Sequence, residues 1–244
     1  MRTMTELLYY SDSYVRCFEA EVLEMEADPG LRVVLDKTAF YPGGGGQPFD
    51  TGWLVIDDAR ASVTRVMKQE GLVWHDIEID SSEKPTVGSF VIGELDWEQR
   101  YLTMRTHTAL HILGAVVYNE YDASVTGGNM EPGRGRMDFE FETMRKELVA
   151  EIEARCNEEV AAARRISTKT MARAEALKIP DLIKTKVNLV PESVKEIRIV
   201  EIDGLDMQAD GGTHVKNTEE VGKIQVVDYK SKGAINKRIY IELA

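Results

Sequence analysis

Three of the chain's four histidines fall in two short segments whose residue types suit a metal ion. His107 and His111 stand four residues apart in Thr106-His-Thr-Ala-Leu-His-Ile-Leu. On a helix this spacing puts two imidazoles one turn apart on the same face, where they can share a cation. A polar helix face or a hydrogen-bonded core pair has the same spacing. The second segment is Gln208-Ala-Asp-Gly-Gly-Thr-His214. Its paired glycines permit a tight turn that folds Asp210 and His214 toward one point. Imidazole nitrogen and carboxylate oxygen both ligate zinc. Three histidines with Asp210 make a closed four-ligand set, and three histidines alone leave a position for water or substrate. An ordinary Asp-Gly turn before a strand is the alternative.

A third segment runs from Asp36 to Asp50 and holds Gly43, Gly44, Gly45 and Gly46 after a proline. Consecutive glycines expose backbone N–H groups and let a ligand or chain approach closely. No Gly-Lys-Ser/Thr follows, so this is not a nucleotide-binding P-loop, and no ATP requirement is expected. Thr38 and Gln47 flank the glycines and offer donors and acceptors for a small polar substrate. A mobile hairpin loop has the same composition.

The elements that must position these residues change character along the chain. Residues 1–95 read as short strands: Tyr14–Met25, Leu31–Leu35, Trp53–Ile56, Ala61–Val66 and Leu72–Ile77. Such spacing predicts a small β-barrel or sandwich. From Trp97 to Tyr121 the apolar period becomes helical, and both helix histidines lie inside that run. Gly127-Gly128 is read as a break. Arg136–Glu142 reads as a strand, Lys146–Ala163 as an amphipathic helix and Met171–Lys178 as a short helix. Val194–Ile202, Lys223–Lys230 and Ile235–Leu243 read as closing strands. The prediction is an α+β chain with a β-barrel over 1–95 and an α/β metal-binding domain over 96–244.

The 244 residues are 43% hydrophobic and 30% charged, which excludes a disordered or fibrous chain. The longest apolar runs are too short to span a membrane. The first residues lack an apolar signal region, and Cys17 and Cys156 suggest no disulfide framework, so a cytoplasmic chain is expected. Net charge is −12 overall, unevenly spread: −9 over residues 1–95 and −3 over the remainder. Residues 160–200 carry nine basic and four acidic side chains, a local excess that can meet phosphates or simply be a solvated face.

Thr38-Ala-Phe-Tyr-Pro with Gly-Gly-Gln47, His107-x3-His111 and Gly-Gly-Thr-His214-Val, in this order, resemble the editing domain of alanyl-tRNA synthetases. The chain most resembles the free-standing AlaX trans-editing proteins in their medium form. The resemblance covers nearly the whole length. It implies an N-terminal β-barrel and an editing domain of the threonyl/alanyl-tRNA synthetase second-additional-domain type. It also implies one zinc ion, a role in translation fidelity, and hydrolysis of seryl, and often glycyl, groups misattached to tRNA(Ala). Under it, His107, His111 and His214 are ligands, with Asp210 a fourth ligand or an outer partner. Thr38 would help recognise the seryl hydroxyl, and Gln47 with Gly43–Gly46 would shape the pocket wall. Arg134, Arg136, Arg164 and Arg165 are candidates for the acceptor stem. The family pattern has Cys where this chain has Asp210, a harder and less zinc-selective ligand.

The ion would activate water, polarise the carbonyl or anchor the substrate, and the sequence does not choose among these. Three other classes remain: a tRNA-binding module with a decayed metal site, a zinc hydrolase of a small metabolite, and a domain using metal only for stability. A monomer is expected.

Overall fold

Alternating burial closes the first strands on themselves. A computed structural model describes residues 4–28, 30–80, 84–180, 182 and 194–244. Strands β1 (Glu6–Leu7) and β4 (Lys37–Thr38) form a short parallel pair, with the one-turn helix α1 (Leu8–Ser11) after β1. Strands β2 (Cys17–Glu26), β3 (Arg32–Leu35), β5 (Gly52–Ile56), β6 (Ala59–Gln69), β7 (Leu72–Glu78) and β8 (Phe90–Leu95) form a closed barrel in the order β2-β3-β7-β6-β5-β8. Along β2, Phe18, Ala20 and Val22 point inward to meet Val33, Leu35, Leu54, Val63 and Val91. A small barrel of this kind is filled by its own side chains.

Helix α2 spans Trp97–Tyr121. Asp96 starts it, accepting the Gln99 N–H at 3.1 Å. Residues 106–117 are all buried, which is why the run is apolar on every side except at its histidines and threonines. The chain divides into two compact units, Met1–Tyr101 and Leu102–Ala244.

In the second unit, β9 (Val125–Glu131) and β10 (Arg134–Glu140) join β14 (Ile224–Ser231) and β15 (Asn236–Leu243) in an antiparallel sheet ordered β14-β15-β10-β9. A second antiparallel sheet holds β11 (Ile166–Ala172), β12 (Glu196–Ile202) and β13 (Asp206–Ala209). Helix α3 covers Lys146–Ala161 and the one-turn α4 covers Arg173–Ala176. Gly135 on β10 makes room for α2: a Cβ there would lie 2.9 Å from the Leu110 side chain.

The α+β class and the barrel agree with the sequence expectation. Two local expectations are corrected. Met171–Lys178 is not one helix: Ile166–Ala172 pairs with β12, and only Arg173–Ala176 turns helical. The β-branched Ile166, Thr168 and Thr170 favour the ladder, and the apolar spacing beyond them misled the reading. Gly127-Gly128, read as breaking the helical run, lie beyond its end at Tyr121. They lie within the edge strand β9, opposite Asp138 and Met137.

Candidate metal centre

The two histidine segments converge. The rings of His107 and His111 lie 5.0 Å apart, His107 and His214 4.2 Å, and His111 and His214 4.6 Å, centroid to centroid. One donor atom from each of His107, His111, Asp210 and His214 falls within 4.8 Å of all the others. All four belong to the second unit. Zinc bonds of about 2.0–2.1 Å would draw such donors closer by small side-chain movements, so the set fits one ion in size and in chemistry.

Each side chain has an identifiable support. The two helix histidines owe their common direction to the i, i+4 spacing on α2. Asp210 follows β13, and its Oδ2 accepts the Gly212 N–H at 2.8 Å, closing the Asp-Gly-Gly turn. Arg198 on β12 holds that turn from behind, donating from Nη1 to the carbonyls of Asp210 at 3.1 Å and Gly212 at 2.9 Å. His214 Nε2 then lies 3.0 Å from Asp210 Oδ2, and His107 Nε2 lies 3.7 Å from Oδ1.

Outer contacts set the ring tautomers. His111 Nδ1 lies 3.1 Å from Asp206 Oδ2 on β13. A carboxylate oxygen accepts, so Nδ1 carries the proton and Nε2 presents its lone pair. Gln208 donates to the same Asp206 oxygen at 2.8 Å. His214 Nδ1 lies 3.2 Å from Thr108 Oγ1. Outer partners of this kind orient metal ligands and raise their basicity. Asp206→Asn, which keeps the shape and removes the charge, should weaken metal binding about ten- to a hundredfold. Chelator competition measures this, and an unchanged affinity would remove Asp206 from the role.

The electrostatics suit ligation. Burial, reinforced by its imidazole neighbours, pushes His107 well below the ordinary histidine range, so the ring is neutral at pH 7. Burial likewise lowers His214 to about 4, against the opposing pull of Asp210. Burial alone would raise Asp210, but His107 and His214 outweigh it and hold the carboxyl well below its usual range. A carboxylate among neutral imidazoles is the state that a divalent cation requires. These depressed values also give a sign. His75, lowered by burial to about 4, and His214 bind protons more readily in the unfolded chain. The metal-free protein should therefore be fully stable above pH ~6.5 and lose stability as pH falls toward about 4. Urea midpoints across that range check this; a flat profile would contradict it.

The other candidate residues lie apart in the chain. Gly43, Gly44, Gly45 and Gly46 all adopt positive φ, which explains the glycine run. The segment is pinned: Gly44 and Gln47 exchange two backbone hydrogen bonds of 3.0 Å, and the Tyr41 hydroxyl donates to the Gly44 carbonyl at 3.1 Å. Thr38 and Gln47 are both buried.

Among the described residues, several of the candidate cations are paired or buried. Arg134 is exposed and pairs with Glu242, and Arg136 is half-buried beside Asp138. Arg164 pairs with Glu159, Lys169 with Glu201 and Lys178 with Glu175. Arg165 is exposed. Arg198 is buried behind the ligand turn, and Lys184 and Lys186 lie outside the described residues.

Sequence reasoning did not find Asp206, Thr108 or Arg198 as parts of the centre. Their types are common, and only the register of β12 and β13 brings Asp206 and Arg198 to it.

Comparison with known proteins gives a consistent picture. A family model for class II (A) tRNA synthetases matches residues 3–99, and one for the threonyl and alanyl tRNA synthetase second additional domain matches residues 197–240. The chain is 43% identical over 239 residues to an alanyl-tRNA editing protein AlaX-M of Saccharolobus solfataricus, covering 97% of this chain and 98% of that protein. It is 39% identical over 243 residues to the AlaX-M protein of Methanosarcina barkeri, covering 98% and 99%. It is also 36% identical over 226 residues to an alanine–tRNA ligase of Pyrococcus furiosus, covering 91% of this chain but 24% of the ligase.

Proposed function

Because the chain belongs to the AlaX-M family of alanyl-tRNA editing proteins, we propose that it hydrolyses the ester of seryl groups misattached to tRNA(Ala), with glycyl esters as a second substrate. The observation that carries this reading is the four-residue donor cluster of His107, His111, Asp210 and His214 in a chain of this family. Water adds to the ester carbonyl, the ribose oxygen leaves with a proton, and free amino acid and tRNA result. A zinc ion bound by these residues supplies a Lewis acid for the carbonyl or the attacking water. The chain's own residues prepare for it: Asp210 holds negative charge, Asp206 fixes the His111 tautomer, and Thr108 meets His214 Nδ1.

Thr38 is assigned to the seryl hydroxyl, and Gln47 with the glycine turn to the pocket wall; the family motif supports both. A site that hydrogen-bonds a hydroxyl disfavours the analogue lacking it, which spares correctly charged Ala-tRNA(Ala). The acceptor end is assigned to Arg134, Arg136, Arg164 and Arg165, of which Arg134 and Arg165 are exposed. A cytoplasmic monomer is the working form.

The test is deacylation of Ser-, Gly- and Ala-tRNA(Ala) by the purified protein, with and without chelator and with zinc restored. Seryl release that chelation stops and zinc restores is expected, with alanyl esters spared. Stoichiometric zinc with tRNA binding but no turnover would favour a binding module. Activity indifferent to the tRNA body would favour a metabolite hydrolase.

A further inference from the structure

The barrel buries an imidazole that the metal cluster does not use. His75 on β7 stands opposite Val33 of β3, and its ring meets Phe40 edge-on at 5.6 Å between centroids. Both His75 and Thr38 are 0% exposed. His75 Nδ1 lies 3.3 Å from the Val33 carbonyl oxygen, and Nε2 lies 2.9 Å from Thr38 Oγ1. A carbonyl oxygen only accepts, so Nδ1 is the protonated nitrogen. In the neutral ring Nε2 is then an acceptor, and the Thr38 hydroxyl must donate to it. Burial lowers the ring to about 4 and keeps it neutral at working pH.

The Phe40 N–H donates to Thr38 Oγ1 at 3.1 Å. A hydroxyl has one proton and two lone pairs. The proton goes to His75 and one lone pair to Phe40, which leaves one lone pair. A group arriving at this enclosed hydroxyl sheds its water, and it regains a hydrogen bond there only by donating one.

We propose that His75 is a positioning residue that locks Thr38 as a hydrogen-bond acceptor, so that Thr38 selects aminoacyl side chains carrying a proton donor. A seryl hydroxyl meets that requirement, whereas an alanyl methyl would cover the Thr38 lone pair with a group that donates nothing. The proposal rests on the assignment of Thr38 to the seryl group made above. It gives the barrel histidine a part in specificity separate from the metal.

Two measurements on the full chain test it. The first is nitrogen NMR of protein labelled at histidine, with the His75 signals identified by their loss in His75→Leu. The Nδ1–H tautomer is expected, with an Nε2 shift that moves in Thr38→Val. An Nε2–H tautomer overturns the proposal without reference to catalysis. The second compares kcat/KM for Ser-tRNA(Ala) and Ala-tRNA(Ala) in Thr38→Val, His75→Leu, the double variant and His75→Gln, whose amide oxygen can take the Thr38 proton. Each of the first two should lower seryl preference about ten- to a hundredfold, the double variant no further, and His75→Gln should recover part of it. Full seryl preference in His75→Leu, with that of Thr38→Val lost, overturns the role of His75 alone. Full preference in Thr38→Val overturns the Thr38 assignment as well, while seryl deacylation itself would stand.

Discussion

Replacing His107 and His111 together by alanine should strip the metal and reduce seryl-tRNA deacylation by roughly a thousandfold or more, the scale set by losing several kcal/mol of charge stabilisation. Both rings sit on one face of α2, and only His214 and Asp210 would remain of the donor set. Those two already lie 3.0 Å apart and would hold each other rather than an ion. The helix itself should survive, because alanine is the strongest helix former and Ala109, Leu110, Ile112 and Leu113 keep its buried surface. Asp206 would lose the imidazole it faces, so some destabilisation accompanies the change. Circular dichroism and metal content on the same sample separate the two effects. A folded double variant that retains metal and activity would end the assignment of these histidines as ligands. The reverse experiment is Asp210→Cys. A thiolate is the softer ligand, so zinc should leave more slowly under chelation. Equal release rates would place Asp210 outside the coordination sphere.

The centre was largely legible in the sequence because it rests on local geometry. An i, i+4 histidine pair on a strongly periodic helix and a glycine-paired turn each bring two donors together within five residues. The supports were not legible because they depend on pairings between distant strands. Asp206 reaches His111 across 95 positions of sequence, and nothing near Asp206 marks it as more than one acidic residue among 42. Thr38 and His75 meet across 37 positions because β4, which carries Thr38, follows β3, and β3 is the barrel neighbour of β7, although β5 and β6 lie between the two residues in the chain. Helix α2 was readable end to end, whereas Ile166–Ala172 became a strand through pairing with β12. The basic excess over 160–200 illustrates the same limit: composition counts charges, but acidic neighbours and burial take up several of them.

Arg100→Met should cost about 3–5 kcal/mol in the unfolding free energy, the usual penalty for breaking a buried ion pair from one side. Arg100 and Asp50 are 1% and 3% exposed, and the guanidinium Nε lies 3.0 Å from both Asp50 oxygens. The same side chain donates to the carbonyls of Ser13 and Ala39. Methionine fills comparable space but leaves a buried carboxylate and two buried carbonyls without these partners. Asp50 in turn accepts the Tyr41 N–H at 2.6 Å, and its own N–H donates to the Tyr41 carbonyl at 3.0 Å. Tyr41 and Asp50 therefore close the base of the turn that carries Gly43–Gly46 and Gln47. An ion pair here fixes the register of that turn, a use better attested for buried charges than net stabilisation. The double variant Arg100→Met/Asp50→Leu discriminates between these functions. It should recover much of the lost stability, since no charge is left buried alone, yet the turn would remain unfastened. Urea unfolding of the two singles and the double gives the coupling energy, expected at 0.5–3 kcal/mol, roughly the range for residues in direct contact. Proteolysis within residues 41–50 reports the turn itself. Additive losses would show that the two side chains are not energetically coupled, and a double variant whose turn stays as protected as in the parent would show that the pair serves stability alone.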